Sequence, residues 1–237
     1  MKIILLLLLP AFLLAQDDAQ KIINKSIKAH GGKKYNEKSF EFDFRDRTYT
    51  YSIKDGVYRY TRTSKENEPK YLDVLTNNGF ERMVNNKSES LTSKQQRSYS
   101  DALNSVVYFA MLPYYLNDAA VKKKYLGKKV IKDITYHKIE ITFNKEGGGT
   151  DHDDRYVYWF DAADYSLDYL GYSYHVNGGG VRFREAYNTR QTEGVLFQDY
   201  VNYKADKDTP VDSLDDLFLS GKLKELSRIE LKNIRSL

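Results

Sequence analysis

The sequence predicts a mainly β, α+β protein: a curled antiparallel sheet of about eleven strands, closed by an amino-terminal helix and a central apolar helix. Three observations carry this. First, residues 152–204 read as four strands, 155–160, 166–175, 181–190 and 195–203, joined by turns at 161–164, 177–180 and 193–194. Runs rich in Val, Tyr, Phe and Thr bounded by Gly, Asn and Asp are the hairpin signal. Second, every connection is short, which disfavours parallel crossovers, and so many antiparallel strands curl into a full or partial barrel. Third, residues 106–116, VVYFAMLPYYL, are apolar nearly all round apart from the tyrosine hydroxyls, the composition of a buried helix.

Taken in order, residues 17–30 place Ala19, Ile22, Ile23, Ser26 and Ile27 at helical spacing, with Asp17 and Asp18 at the positive end and Gly31-Gly32 as the stop. Phe40, Phe42 and Phe44 then alternate with acids, and Tyr49, Tyr51 and Ile53 alternate in the opposite parity. A parity switch across 45–48 predicts a bulge or bend within one long strand. Asp55-Gly56 turns the chain into strand 57–63, and strands 71–76 and 80–84 flank a turn at Asn77-Asn78-Gly79.

From Ser93 the rhythm changes: Tyr99, Ala102, Leu103, Val106, Val107 and Ala110 form a helical face, and Pro113 ends or kinks the helix. A connection over 116–127 leads to strands 129–132 and 135–143 and a loop at Gly147-Gly148-Gly149. In strand 195–203, Val195, Phe197, Val201 and Tyr203 share one parity while Gln198 and Asn202 take the other, so one face is apolar and one wet. Residues 213–219 read as a helix, and 225–234 as a closing strand with Ile229 and Leu231 inward.

The opening MKIILLLLLPAFLLAQ has a lysine, an apolar run over 3–14 and a small residue, Ala15, before Gln16. That is the pattern of a secretory signal peptide spanning 1–15, followed by one domain over 16–237. The apolar run is shorter than the ~20 residues needed to span a bilayer, so the mature chain is expected to be exported, periplasmic or extracellular, with no transmembrane segment. Removing 1–15 takes away one lysine and leaves 36 Lys and Arg against 33 Asp and Glu. These charges are interleaved rather than clustered, which argues against nucleic acid as a partner. There is no Cys, so neither a disulfide framework nor a lipid-anchored terminus is available.

Catalytic constellations are missing. No GxSxG elbow and no Cys occur, and His30, His137, His152 and His175 fall in no HExxH spacing. With no repeating strand–helix units, a (β/α)₈ aldolase with a Schiff-base lysine is excluded. The best metal candidate, Asp151-His152-Asp153-Asp154, lacks the alternating ligands and glycine of a calcium loop and reads as a solvated hairpin loop, so no metal or cofactor is expected. Both glycine triplets precede strands, whereas phosphate loops feed helices.

What remains is a high aromatic load, 21 Tyr and 11 Phe beside one Trp. Tyrosine suits half-buried sheet faces and cavity walls. A hydrophobic cavity would have Phe40, Phe42, Phe44, Tyr49, Tyr51, Tyr169, Tyr172, Tyr174, Phe183, Phe197 and Tyr203 as its walls. Val107, Phe109, Met111, Leu112, Tyr114 and Tyr115 would form the plug. An ordinary filled core uses the same residue types. Arg182 and Arg184, facing Asp199, are either cross-strand pairs on a wet face or a polar rim for an anionic head group.

The helix ending KAHGG, the stretch SYSDALNSVVYFAMLPYYLNDAAVKKKYLG, and the runs HKIEITFNKEGGG, DRYVYWFD, DYLGYSYHVNGGGVRFREAYN and GKLKELSRIELKNI resemble a family of secreted proteins of unknown function from Bacteroidota. That family is similar in fold to the lipoprotein carriers LolA and LolB. The resemblance implies an open antiparallel β half-barrel, hydrophobic on its concave side and closed by helices. It also implies a non-catalytic binder of a lipid or of the acyl chain of a lipoprotein; lacking an exit Cys, the chain matches the unanchored LolA arrangement. Two other readings stand beside it: an interaction or scaffolding domain of the cell envelope with no cavity, and an enzyme of unrecognised class.

Overall fold

The computed structural model describes residues 9–64, 70–147, 152–175 and 178–237. Residues 1–8, within the expected signal peptide, and Gly148, Gly149 and Asp151 lie outside them. The described residues form strands β1 Phe40–Phe44, β2 Arg47–Lys54, β3 Val57–Ser64, β4 Tyr71–Thr76, β5 Gly79–Val84, β6 Lys87–Ser88, β7 Val121–Ile131, β8 Ile134–Phe143, β9 Arg155–Asp161, β10 Leu167–Tyr174, β11 Gly180–Thr192, β12 Val195–Ala205, β13 Lys224–Ile229 and β14 Leu231–Ser236. The helices are α1 Leu9–His30, α2 Lys34–Glu37, α3 Ser93–Ala110 and α4 Leu214–Leu219.

The protein is mainly β, as expected, but the strands belong to two seven-stranded sheets rather than one sheet of eleven. Their orders are β14-β1-β2-β3-β4-β5-β6 and β13-β12-β11-β10-β9-β8-β7. Contacts gather into two compact units, one made of residues up to Ala29 with Leu116–Ala186 and Val201–Ser227, the other of His30–Tyr115, Tyr187–Tyr200 and Arg228–Leu237. No helix among the described residues is long and apolar enough to cross a membrane.

The larger strand count has local causes. The parity switch after Phe44 is a two-residue turn, with Arg45 at φ +55°, and not a bulge. It folds β2 back so that Phe42 faces Tyr49 and Phe40 faces Tyr51, which puts all four rings on one side. Asn85 and Asn86, at φ +50° and +62°, make a similar turn into the short β6, because Asn tolerates the left-handed region. The stretch 116–127 is not all connection: β7 starts at Val121 and pairs along β8 with an irregularity at Tyr125/Gly127. The closing segment is two strands divided at Glu230, β13 lying beside β12 and β14 beside β1.

In the unit that holds β1–β6, α3 packs on β2, β3, β4 and β5. Its start is fixed by a capping box, in which the Thr92 hydroxyl accepts from the Gln95 amide and the Gln95 side chain accepts from Thr92 N–H. The helix stops at Ala110, ahead of Pro113. Contrary to the expectation of a helix buried on every side, only Leu103 and Val107 of α3 are fully buried. Burial resumes in the turn after it, at Met111, Leu112 and Tyr115.

In the other unit, Val157 and Trp159 of β9, Tyr169 of β10 and Phe183 of β11 pack with Val211 and Leu214, and Leu217 and Phe218 of α4 lie alongside. Buried Asp215 is anchored there by Lys138 at 2.7 Å and the Trp159 indole N–H at 3.1 Å. Strand β12 does not keep a wet face: Gln198 and Asn202 are each 8% exposed. Their amide nitrogens donate locally, Gln198 to the Tyr200 hydroxyl and Asn202 to the Ser227 hydroxyl.

Candidate functional site

Directly opposed residues in an antiparallel ladder share a face, so the register of the first sheet lays out its α3-facing side in rows. One row is Phe40, Tyr51, Tyr60, Leu75 and Phe80, each opposite the next on successive strands. All five are buried in one cluster, over which α3 and the turn after it place Leu103, Val107, Met111 and Tyr115. Rings stack along the row, Tyr51 on Tyr60 with centroids 5.8 Å apart and Phe40 on Tyr51 at 6.4 Å.

The phenols of this floor are hydrogen-bonded. The Tyr51 hydroxyl donates to the Tyr35 carbonyl at 2.9 Å, and the Tyr60 and Tyr115 hydroxyls share a bond at 2.5 Å. Burial, first among the causes, pushes the Tyr51 and Tyr115 phenols well above their ordinary pKa, so both stay neutral.

The neighbouring row is Phe42, Tyr49, Arg62, Asp73 and Arg82. Here an apolar row turns charged. Asp73 is buried and receives both arginines: Arg62 through Nε at 2.9 Å and Nη2 at 2.5 Å, Arg82 through Nε at 2.6 Å and Nη2 at 2.8 Å. The Arg82 guanidinium also lies over two rings, Tyr99 of α3 at 3.6 Å and Tyr71 of β4 at 4.7 Å. Its bond to Asp73 holds it above the ordinary arginine pKa against the opposing effect of burial. Arg47, opposite Phe44 in the next row, also lies over the Tyr71 ring, 5.5 Å from its centre.

The expected cavity residues are divided between the two units. Phe40, Phe42, Tyr49, Tyr51, Val107, Met111, Tyr115 and Phe197 lie in the buried cluster under α3, with Phe44 and Tyr114 packed against it. Tyr169 and Phe183 belong to the cluster around α4, where Tyr203 packs alongside. Leu112 is buried, and Phe109 is half-buried with its ring edge-on to Tyr108.

Arg182 and Arg184 do not face Asp199. Arg182 donates to the Tyr174 hydroxyl at 2.6 Å and Arg184 to the Tyr172 hydroxyl at 2.8 Å, each with its guanidinium over the same ring. Asp199 instead takes Arg190 at 3.0 Å, the Asn188 amide and the Leu231 backbone N–H. The charged row that does adjoin the aromatic floor was missed in the sequence. Its signal was parity: Arg62 shares the parity of Tyr60, and Arg82 that of Phe80, so both arginines point to the buried side.

Of the acidic run in the 151–154 loop, Asp153 and Asp154 come together with His175, their ligand atoms all within 4.8 Å of one another. The buried Asp154 carboxylate already has His175 Nδ1 at 3.3 Å as a partner, and His175 and Asp153 are exposed.

Residues 2–231 match the model of a family described as a family of unknown function, DUF6503. No curated protein matches the chain. Among solved structures, a LolA superfamily protein from Nitrosomonas europaea aligns with a TM-score of 0.51 at 12% identity, covering 91% of this chain and 92% of that one. A DUF1329 family protein from Desulfovibrio piger aligns with a TM-score of 0.50, also at 12% identity, covering 92% of each. At this identity the likeness is one of fold, and the fold is LolA-like.

Proposed function

We propose that this chain, which belongs to the DUF6503 family of unknown function, is an exported, non-catalytic envelope protein that takes an apolar ligand onto the aromatic face of β1–β5 beneath α3. The ligand class is a lipid or the acyl chain of a lipoprotein. The observation that carries this reading is the asymmetry of α3. A floor of stacked, hydrogen-bonded aromatic rings is covered by a helix that commits only Leu103 and Val107 fully to it.

An acyl chain entering there displaces weakly committed cover and meets no unpaired phenol on the Tyr51–Tyr60–Tyr115 path. Each methylene it buries contributes about 0.8 kcal/mol. The LolA-like fold supports the same reading.

Mass spectrometry of lipids extracted from protein purified out of its native envelope tests it. Stoichiometric co-purifying lipid or acyl-peptide is the expected result, and clean protein with none contradicts it. Sequencing the amino terminus of the exported protein tests localisation, with Gln16 expected as the first residue.

A further inference from the structure

We propose that the Tyr35 hydroxyl is the polar anchor of the ligand site, donating to the uncharged carbonyl oxygen of an acyl group, ester or amide, whose chain lies on the aromatic floor beside it. The place of that chain rests on the reading above; the anchor rests on an unmade hydrogen bond. Tyr35 belongs to α2, is 0% exposed and packs in the same buried cluster as Phe40, Tyr51 and Tyr60. Among the described residues its hydroxyl has no hydrogen-bond partner. The large majority of buried polar side-chain atoms are paired, and leaving one unpaired is costly. An acceptor from outside the chain completes this one.

The phenols of the same cluster each have a bond already. Tyr51 donates to the Tyr35 carbonyl at 2.9 Å, Tyr60 and Tyr115 share a bond at 2.5 Å, and Tyr114 donates to Asn36 Oδ1 at 2.5 Å. The Tyr200 hydroxyl accepts from the Gln198 amide at 2.7 Å. The Tyr35 ring is held where it stands. One face is stacked on Tyr114, with centroids 4.8 Å apart, and its edge lies against Gly31, where a β-carbon would come within 3.3 Å of Tyr35 Cε2 and 3.0 Å of Val195 Cγ2. The Tyr51 bond to its carbonyl sets it beside the Phe40–Tyr51–Tyr60 row. Burial, then the Tyr200 phenol, push the Tyr35 phenol well above its ordinary pKa, so it stays neutral and donates. The matching acceptor among apolar rings is an uncharged carbonyl, because a charged head would carry its desolvation cost with it. Rings then take the methylenes, and one fixed donor sets where the chain begins.

The test loads the exported chain and its Tyr35→Phe variant from an equimolar mixture of three probes presented on cyclodextrin, then extracts and counts what each protein holds. Methyl palmitate carries the ester of a lipid, N-methylpalmitamide the amide of an acylated amino terminus, and hexadecane the chain with no carbonyl. In Tyr35→Phe the preference for carbonyl-bearing chains over hexadecane is expected to fall at least about five-fold, with the total held per protein unchanged. Whichever carbonyl the parent holds in excess identifies lipid or acylated protein as its source. The same preference in both proteins overturns the anchor, gives the hydroxyl a buried water only, and leaves the apolar cargo reading standing. Protein that holds none of the three overturns both. Melting of the empty proteins is the second readout. Tyr35→Phe removes an unpaired hydroxyl and is expected to melt no lower than the parent. A variant that melts lower, or does not fold, shows that the hydroxyl is bonded in the empty protein and overturns the anchor.

Discussion

The guanidinium of Arg82 lies 3.6 Å from the ring centre of Tyr99, and through that contact the charged row of the first sheet meets the exposed first half of α3. Tyr99 precedes the buried Leu103 by one turn, so it holds the part of the helix that Leu103 and Val107 do not. Tyr99→Ala is expected to remove about 0.5–2 kcal/mol of local stability. Hydrogen exchange should show amides of residues 93–102 opening faster while those of β3 and β4 keep their protection. Unchanged exchange along α3 contradicts this role.

A second expectation concerns the bond between Tyr60 and Tyr115. Tyr60→Phe or Tyr115→Phe alone removes one side of this buried bond and is expected to cost roughly 0.5–1.5 kcal/mol. The double variant should cost less than the two single losses combined, because both single variants lose the same shared bond. Denaturant melts of the four proteins check it, and strict additivity contradicts the coupling.

Asp73 is the charge balance for two arginines, so Asp73→Asn is expected to destabilise by roughly 3–5 kcal/mol, the cost of breaking a buried pair from one side. Thermal melts against the parent check it, and an unchanged melting temperature contradicts it.

In the other unit, Gly171 is occupied by close packing. A β-carbon there would sit 2.6 Å from Leu214 Cδ1, with Phe183 and the Arg182 carbonyl also near. Gly171→Ala is therefore expected to cost about 1–3 kcal/mol by overpacking, and a variant as stable as the parent would show that this cluster relaxes freely.

His137 gives a pH dependence with a defined sign. Burial, then Lys128 and Lys25, hold its pKa below the ordinary 6.5, against Asp161 and Asp18. The Tyr125 hydroxyl bonds to Nδ1 at 3.2 Å and Tyr165 stacks on the ring at 6.1 Å. The folded protein thus favours neutral imidazole, and the unfolded chain takes the proton more readily. The stability from this group is complete above pH 6.5 and is lost as pH falls through the depressed folded value. Melts of wild type and His137→Gln between pH 7.5 and 5 should show the wild type losing more stability than the variant toward acid.

How much of this was legible in the sequence depends on which physical signal each element carries. The meander of β9–β12, strands β3–β5 and helix α3 were readable because alternation, Asn- and Gly-rich turns and helical apolar spacing act locally. The β1–β2 turn was misread as a bulge because Arg45-Asp46 is not a turn pair that alternation alone identifies. Nothing local marks Glu230 as the point where the closing strand leaves one sheet for the other. Half-burial misled the reading of β12, whose Gln198 and Asn202 look solvent-facing until their partners Tyr200 and Ser227 are known. The family resemblance and the LolA-like fold were both legible. At the candidate site the apolar face of Phe40, Phe42, Tyr49 and Tyr51 was legible from alternation, whereas the pairing of Arg62 and Arg82 on Asp73 was not, because it depends on which strands lie side by side.

The most direct test of cargo beneath α3 is methyl NMR of the exported chain during titration with a fatty acid. Leu103, Val107 and Met111 methyls should shift saturably at one equivalent, while those of Val211 and Leu214, in the cluster around α4, stay in place. A titration that leaves Leu103, Val107 and Met111 unmoved contradicts it.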